Sequence, residues 1–415
     1  MKVLLAPGGL WPEPAGVPLA GPGRGLPASS VAACLERGWH AVRPDDSLTL
    51  VPMADGGPGS AQVIAPERIA SREAIQGQGP LGQVREVDLV RLGPGPARSA
   101  AQRPGEGRTW FLDAARLLAP PLDPDESAQE ARHGSTYGLG QVIGTALGRT
   151  SPSDTLVVGL SRSAVHDGGA GALDALGGAP AAMDLLVGRS LGLALADGIA
   201  LGGMSGAGAA LAEITSLSPA QAQELDRRAC AAATEAVSAA ATPRPSFGGQ
   251  QRLLPVVSAL DDAQMPSLSA ANSRGTGHLS TTTWGTGAAG GGAMALRALG
   301  AWARPGARVM AEILGLSDTV LGQDMVVTAS GELYDVLADG VVDVVGDLAA
   351  SQALPAVLVC GRCATTRGEL AGAGISSVYS LQEPHAIEPW DAGGPDVLEA
   401  RLTDMGGRLA RTWSR

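Results

Sequence analysis

The chain has 415 residues, with 30 Lys plus Arg against 41 Asp plus Glu. The formal net charge of −11 excludes a broad nucleic-acid or anionic-membrane surface. Apolar residues make up 45% and charged residues 17%, as in folded proteins, but aromatics are only 3%, so the core has to be aliphatic. No signal-type apolar region opens the chain and no apolar run reaches the ~18 residues of a membrane span, so a cytoplasmic protein with no membrane or nucleic-acid partner is expected.

The length implies about two to three domains. Lys2 is the sole lysine. That excludes a GxxxxGK[ST] phosphate loop and leaves Arg and backbone N–H groups as the only means of clamping a phosphate. Cys34, Cys230, Cys360 and Cys363 are too few and too scattered for a disulfide framework. Cys360-Gly-Arg-Cys363 nevertheless has redox or metal-ligand spacing, directly after the apolar strand predicted at 356–359.

Residues 2–6 read as a buried strand, 28–38 as an amphipathic helix ended by Gly38, and 48–51 as a second strand. This is the start of a parallel sheet. Residues 82–90 alternate as a half-exposed strand. Residues 109–118 begin as a strand and end as a helix, and 139–147 form a helix with Ser135 or Thr136 as its N-cap. A strand is predicted at 155–158 and a helix at 220–240, while 242–274 is irregular. From 308 onward helices (308–316, 342–350, 395–413) alternate with strands (325–328, 356–359, 374–379). The expectation is an α/β protein of two domains. Residues 1–77 and 280–415 form a discontinuous domain with a parallel sheet, 78–279 form an inserted α/β domain, and a cleft lies between them.

Three Gly-rich stretches follow apolar segments and precede helices. They are Asp55-Gly-Gly-Pro-Gly59, Asp167-Gly-Gly-Ala-Gly171 and Gly285-Thr-Gly-Ala-Ala-Gly-Gly-Gly292. A strand, a Gly-rich turn and a helix N-terminus make an anion site, because unpaired N–H groups and the helix dipole favour negative charge. Gly56, Gly57, Gly59, Gly168, Gly169, Gly171, Gly285, Gly287 and Gly290 are therefore candidate phosphate or substrate contacts. Asp55 and Asp167 are candidate Mg²⁺ ligands or general bases; an Asp before Gly also serves as an ordinary turn residue. Arg162 and Arg24 are the nearest cations, and His166 reads as a surface loop residue.

These loops, in this order, resemble the bacterial glycerate kinase family that is unrelated to P-loop and protein kinases. Met1-Lys-Val-Leu-Leu-Ala-Pro7 is similar to its opening strand. Val51-Pro-Met-Ala-Asp-Gly-Gly-Pro-Gly59 is close to its Pro-Met-Ala-Asp-Gly-Gly-Glu-Gly, with Pro58 in place of Glu. Ser135-Thr-Tyr-Gly-Leu-Gly-Gln141, Asp167-Gly-Gly-Ala-Gly171 and Gly285-Thr-Gly-Ala-Ala-Gly-Gly291 resemble further motifs. The resemblance implies a flavodoxin-like discontinuous domain, a second α/β domain, and phosphorylation of D-glycerate by ATP with Mg²⁺, most often at the 2-hydroxyl. It implies substrate contacts at Ser135 and Thr136 and an acid at Asp335. A monomer or homodimer is expected. The sequence departs from the family in its first loop, where Gly8-Gly-Leu-Trp11 precedes Arg24-Gly25. It departs again in Leu160-Ser-Arg-Ser-Ala-Val-His-Asp167 and in Thr328-Ala-Ser-Gly-Glu-Leu-Tyr-Asp335. With these losses, the alternative is a catalytically weakened homologue that binds a nucleotide or small hydroxyacid as a sensor or partner protein.

Overall fold

A computed structural model describes residues 1–12, 24–93, 107–241, 279–334, 340–382 and 388–414. Asp335 and the 242–274 stretch lie outside the described residues. The strands are β1 (Lys2–Leu5), β2 (Ser47–Leu50), β3 (Ile69–Gln78), β4 (Val84–Leu92), β5 (Thr109–Leu112), β6 (Thr155–Leu160), β7 (Ser190–Leu195), β8 (Trp302–Pro305), β9 (Met325–Leu333), β10 (Ala356–Cys363) and β11 (Ile375–Ser380). The helices are α1 (Ala28–His40), α2 (Pro124–His133), α3 (Tyr137–Arg149), α4 (Ala170–Ala175), α5 (Gly178–Leu186), α6 (Ala207–Ile214), α7 (Pro219–Ala241), α8 (Gly292–Ala298), α9 (Gly306–Leu314), α10 (Leu316–Thr319), α11 (Gly340–Ser351), α12 (Arg367–Gly372) and α13 (Gly394–Trp413).

Both ends of the chain build a five-stranded sheet of order β11-β10-β9-β1-β2, parallel throughout. This is the flavodoxin-like order, and it switches direction between β1 and β9. Its central strands are apolar without alternation because both faces are covered. Val3 and Leu5 pack with α1 and α13, whereas Leu4 and Ala6 face the opposite core. Gly38, read as a helix terminator, instead lies inside α1, where a Cβ would fall 1.8 Å from the Thr403 carbonyl oxygen of α13. It permits helix contact and ends nothing.

The second sheet runs β3-β4-β5-β6-β7-β8, with β3–β4 and β4–β5 antiparallel and the rest parallel. It draws on residues either side of the expected 78–279 insert. β3 was not legible because residues 70–74 of this edge strand are solvent-exposed and carry no apolar stripe. β8 joins because Trp302–Pro305 pairs with Gly192–Leu195, and the Gly285–Gly292 stretch packs into this unit's core through Ala288 and Ala289, as does Ala293 of α8 just after it. The two sheets are not held apart. One hydrophobic core joins Leu4, Val326 and Leu358 to Phe111, Val157 and Ala194, with Val309, Met310 and Leu314 of α9 between them. α4 starts at Ala170, since Gly168 (φ +69°) and Gly169 (φ +81°) have left-handed backbone. One further boundary moved: β10, expected over 356–359, runs on to include both cysteines.

Candidate active site

The Asp55 loop leaves the carboxyl end of β2 and crosses the carboxyl ends of β6 and β7. Gly56 has φ +89°, and a Cβ there would lie 2.6 Å from the Ala194 carbonyl oxygen; the turn needs glycine on both counts. From the other side Gly306 abuts it, since a Cβ at the start of α9 would fall 1.8 Å from the Asp55 carbonyl oxygen. Asp55 Oδ1 accepts from the Gly57 amide at 2.8 Å, and Ser60 Oγ donates to the Gly57 carbonyl at 2.7 Å. Pro58 is exposed.

Beneath this loop is Asp113, wholly buried, whose Oδ2 accepts from the Ala61 amide at 3.2 Å and whose Oδ1 has no hydrogen-bond partner among the described residues. Burial pushes its carboxyl up to about 7, against the opposing pull of the Ala61 amide and Arg116.

Beside the loop, at the same sheet edge, Arg162 Nε donates to Asp197 Oδ2 at 3.1 Å, and Asp197 Oδ1 accepts from the Ile199 amide at 2.9 Å. Gly57 neighbours Ala196, which precedes Asp197; a Cβ on Gly57 would be 3.6 Å from the Ala196 methyl. Asp197 was missed in the sequence. Its signal is a weaker form of the one that picked out Asp55: a single Asp-Gly pair shortly after an apolar strand.

Asp167 is placed differently. Its carboxylate accepts from the Thr136 amide (2.8 Å), the Thr136 hydroxyl (2.9 and 3.0 Å), the Gly169 amide (2.9 Å), the Gly171 amide (3.2 Å) and the Ser135 hydroxyl (3.4 Å). Thr136 Oγ1 in turn accepts from the Ala172 amide at 3.0 Å. The expected cap at α3 is therefore a tie: Ser135 accepts from the Tyr137 amide at 3.1 Å, and Thr136 reaches across to Asp167. Asp167 staples the start of α3 to the start of α4.

Six of the nine glycine amides expected to cradle a phosphate are engaged within the chain. Gly168 donates to the Gly290 carbonyl, Gly285 to Gly198 and Gly287 to Ile199, at 2.9–3.0 Å, while Ala289 donates to Ser161 at 2.8 Å. Gly57, Gly169 and Gly171 donate to the chain's own aspartates. The 285–292 loop is thus a packing element wedged between the 161–168 and 198–200 segments. Gly59 stands two residues before the Ala61 amide that Asp113 holds. Two cation and histidine readings also change. Arg24 pairs with Asp391 at 2.9 Å. His166 is buried, its Nε2 3.1 Å from Asp226 Oδ1 of α7, and is no surface residue. Among the described residues no group of three or more His, Cys, Asp or Glu could hold a metal. Asp197 provides a hard carboxylate oxygen beside the Arg162 guanidinium, and the Asp55 loop passes the preceding residue, Ala196; carboxylate oxygens suit Mg²⁺ carried on a polyphosphate, with few protein ligands.

The family model described as "Glycerate kinase family" matches residues 24–411. An uncharacterised Mycobacterium bovis protein is 29% identical over 87% of this chain and 82% of its own length. The glycerate 2-kinase of Escherichia coli is 34% identical over 37% of this chain and 36% of its own length. The solved structure of a putative glycerate kinase 2 from Salmonella typhimurium superposes with a TM-score of 0.61 at 21% identity, covering 99% of this chain and 98% of that one; it bears on the fold alone. With the loop order and both sheets accounted for, this chain belongs to the glycerate kinase family.

Proposed function

We propose that this protein transfers the γ-phosphoryl group of ATP to D-glycerate, at the 2-hydroxyl. The observation that carries the reading is the Asp55 loop: the carboxyl ends of both sheets meet there, with Arg162 and Asp197 beside it. Asp55 takes the proton of the attacking hydroxyl. Arg162, oriented by Asp197, neutralises charge on the moving phosphoryl group. Mg²⁺, when bound by the Asp197 carboxylate and the ATP phosphates, would offset charge on the ATP oxygens. Asp167 acts at one remove, as a positioning residue that holds the Ser135–Tyr137 turn.

ADP release with Mg²⁺ and D-glycerate tests the reading, with other small hydroxyacids as controls. D-Glycerate-dependent release is expected, falling at least ~10²-fold in Asp55→Asn. ATP or glycerate binding without turnover would favour the weakened, ligand-binding homologue. Two observations lean that way: no lysine follows Lys2 to meet a phosphate, and several loop amides already serve the chain's own carboxylates.

A further inference from the structure

On the reading above, Asp55 acts from a loop that leaves one sheet and lies on the other, so its carboxylate is held only as firmly as that loop. Met53, Ala61 and Ile64 sit in the shared core with Val90 and Phe111. Beyond this apolar contact, one peptide of the loop is gripped from both sides by the six-stranded sheet. The Ala61 amide donates at 3.2 Å to Oδ2 of Asp113, which directly follows β5, and the Ala61 carbonyl accepts from Arg72 Nη2 of β3 at 2.5 Å. The grip reaches Asp55 in two short steps. Ser60, beside Ala61 in the single 3₁₀ turn Ser60–Val63, donates to the Gly57 carbonyl through its amide at 3.2 Å and its hydroxyl at 2.7 Å. The Gly57 amide in turn donates to Asp55 Oδ1 at 2.8 Å.

We propose, resting on the function read above, that Asp113 is a positioning residue for the phosphoryl transfer: by holding the Ala61 peptide it fixes the Asp55 carboxylate, and it touches no substrate itself. Its own backbone is anchored, since the Asp113 amide donates to the Asp88 carbonyl of β4 at 2.9 Å. Its side chain is wholly buried, with one oxygen on Ala61 and the other without a hydrogen-bond partner among the described residues. An apolar side chain would fill this place without burying an unpaired oxygen, which is costly. What it could not supply is the acceptor for the Ala61 amide.

The same surroundings select the protonation state. A carboxylate with one oxygen buried and unpaired is disfavoured, and burial pushes the Asp113 carboxyl up to about 7 against the pull of the Ala61 amide and Arg116. The charged groups facing it are Asp88 of β4 and Arg116 of the turn after β5, 3.7 Å from each other, with Arg72 on the far side of Ala61. The neutral acid keeps a carbonyl oxygen for the Ala61 amide. Once ionised, the buried charge is stabilised by moving toward Arg116 or by admitting water, and both loosen the 55–61 loop. The native state holds the extra proton, so the grip is complete below about 7 and is lost as pH rises through that value. Asp55, as the base, shapes only the acid side of the same profile.

The test uses the full chain as wild type, Asp113→Asn and Asp113→Ala. It measures kcat and KM for ATP across pH, and amide hydrogen-exchange protection of the 55–64 peptide. Asn keeps an acceptor oxygen and cannot ionise; Ala removes the acceptor. Asp113→Ala is expected to lose ~10²-fold in kcat with KM for ATP nearly unchanged, the scale of a misplaced catalytic group, and to lose protection at 55–64. Asp113→Asn is expected to stay within ~3-fold of wild-type kcat at neutral pH, the acceptor being kept, and to lack the decline that wild type shows above about 7. A purely structural Asp113 would change the melting temperature and leave kcat of the folded protein and its pH profile alone. Wild-type kcat in a folded Asp113→Ala, or a wild-type decline retained in Asp113→Asn, overturns the proposal. If Asp113→Ala does not fold, the wild-type and Asn profiles decide. A wild type without turnover sinks the kinase reading instead; protection at 55–64 then decides the anchor, and equal protection in wild type and Asp113→Ala overturns it.

Discussion

Asp167→Asn separates a staple from a catalyst. The substitution keeps the size of the side chain and replaces one oxygen by an NH₂ group. Asp167 Oδ1 accepts from the Gly169 amide, and Oδ2 from the amides of Thr136 and Gly171. An asparagine has one acceptor oxygen, so whichever way it turns, at least one partly buried backbone N–H faces another donor. An orphaned donor costs about 1–3 kcal/mol, and the remaining bonds lose their charge assistance. The combined cost is about 2–4 kcal/mol. In a chain of this size that is a fall in Tm of roughly 3–8 °C, depending on whether the six-stranded unit unfolds alone. Differential scanning calorimetry measures the fall, and ADP release well below Tm should stay within ~10-fold of wild type. An unchanged Tm with turnover reduced ~10²-fold or more would refute the staple and make Asp167 a catalytic group.

Gly38→Ala should destabilise the protein although helix propensity favours Ala by about 1 kcal/mol, because the new methyl meets the Thr403 carbonyl at 1.8 Å; urea unfolding midpoints decide the sign. Asp113 has a raised folded value of about 7 against 3.8 for the free group. The native state therefore holds its proton where the unfolded chain has lost it, and stability declines as pH rises from about 4 to about 7. Asp113→Asn should flatten part of that decline, seen in Tm at pH 5 and pH 8; Glu130, also raised to about 7, contributes in the same window. Arg162→Lys should lower turnover by ~10-fold or more, since an ammonium lacks the guanidinium's planar fork towards Asp197 and phosphate; steady-state kinetics with varied ATP checks it. Chelating Mg²⁺ with EDTA should abolish ADP release and leave the circular dichroism spectrum unchanged.

The parallel five-stranded sheet was readable because β1, β9 and β10 are buried on both faces and so read as unbroken apolar runs. The Asp55 loop was readable because its turn requires glycine where the chain crosses two strand ends. Three things were not. β3 is an exposed edge strand whose partner, not its composition, defines it. Asp197 carries a weaker form of the Asp55 signal, a single Asp-Gly, and gains meaning only from Arg162, which lies on a different loop. Which way a glycine-rich loop donates is invisible in sequence. The amides of Gly168, Gly285 and Gly287 find carbonyls that tertiary packing supplies, so loops of similar composition become an aspartate turn in one place and a wedge in another.

The most direct test of the account is phosphorus NMR of product formed from ATP, Mg²⁺ and D-glycerate by wild type and by Asp55→Asn. The account requires a phosphoglycerate resonance from wild type, at the 2-position, and its loss in Asp55→Asn with the fold intact. Equal product from both proteins, or none from a wild type that binds ATP, would contradict it.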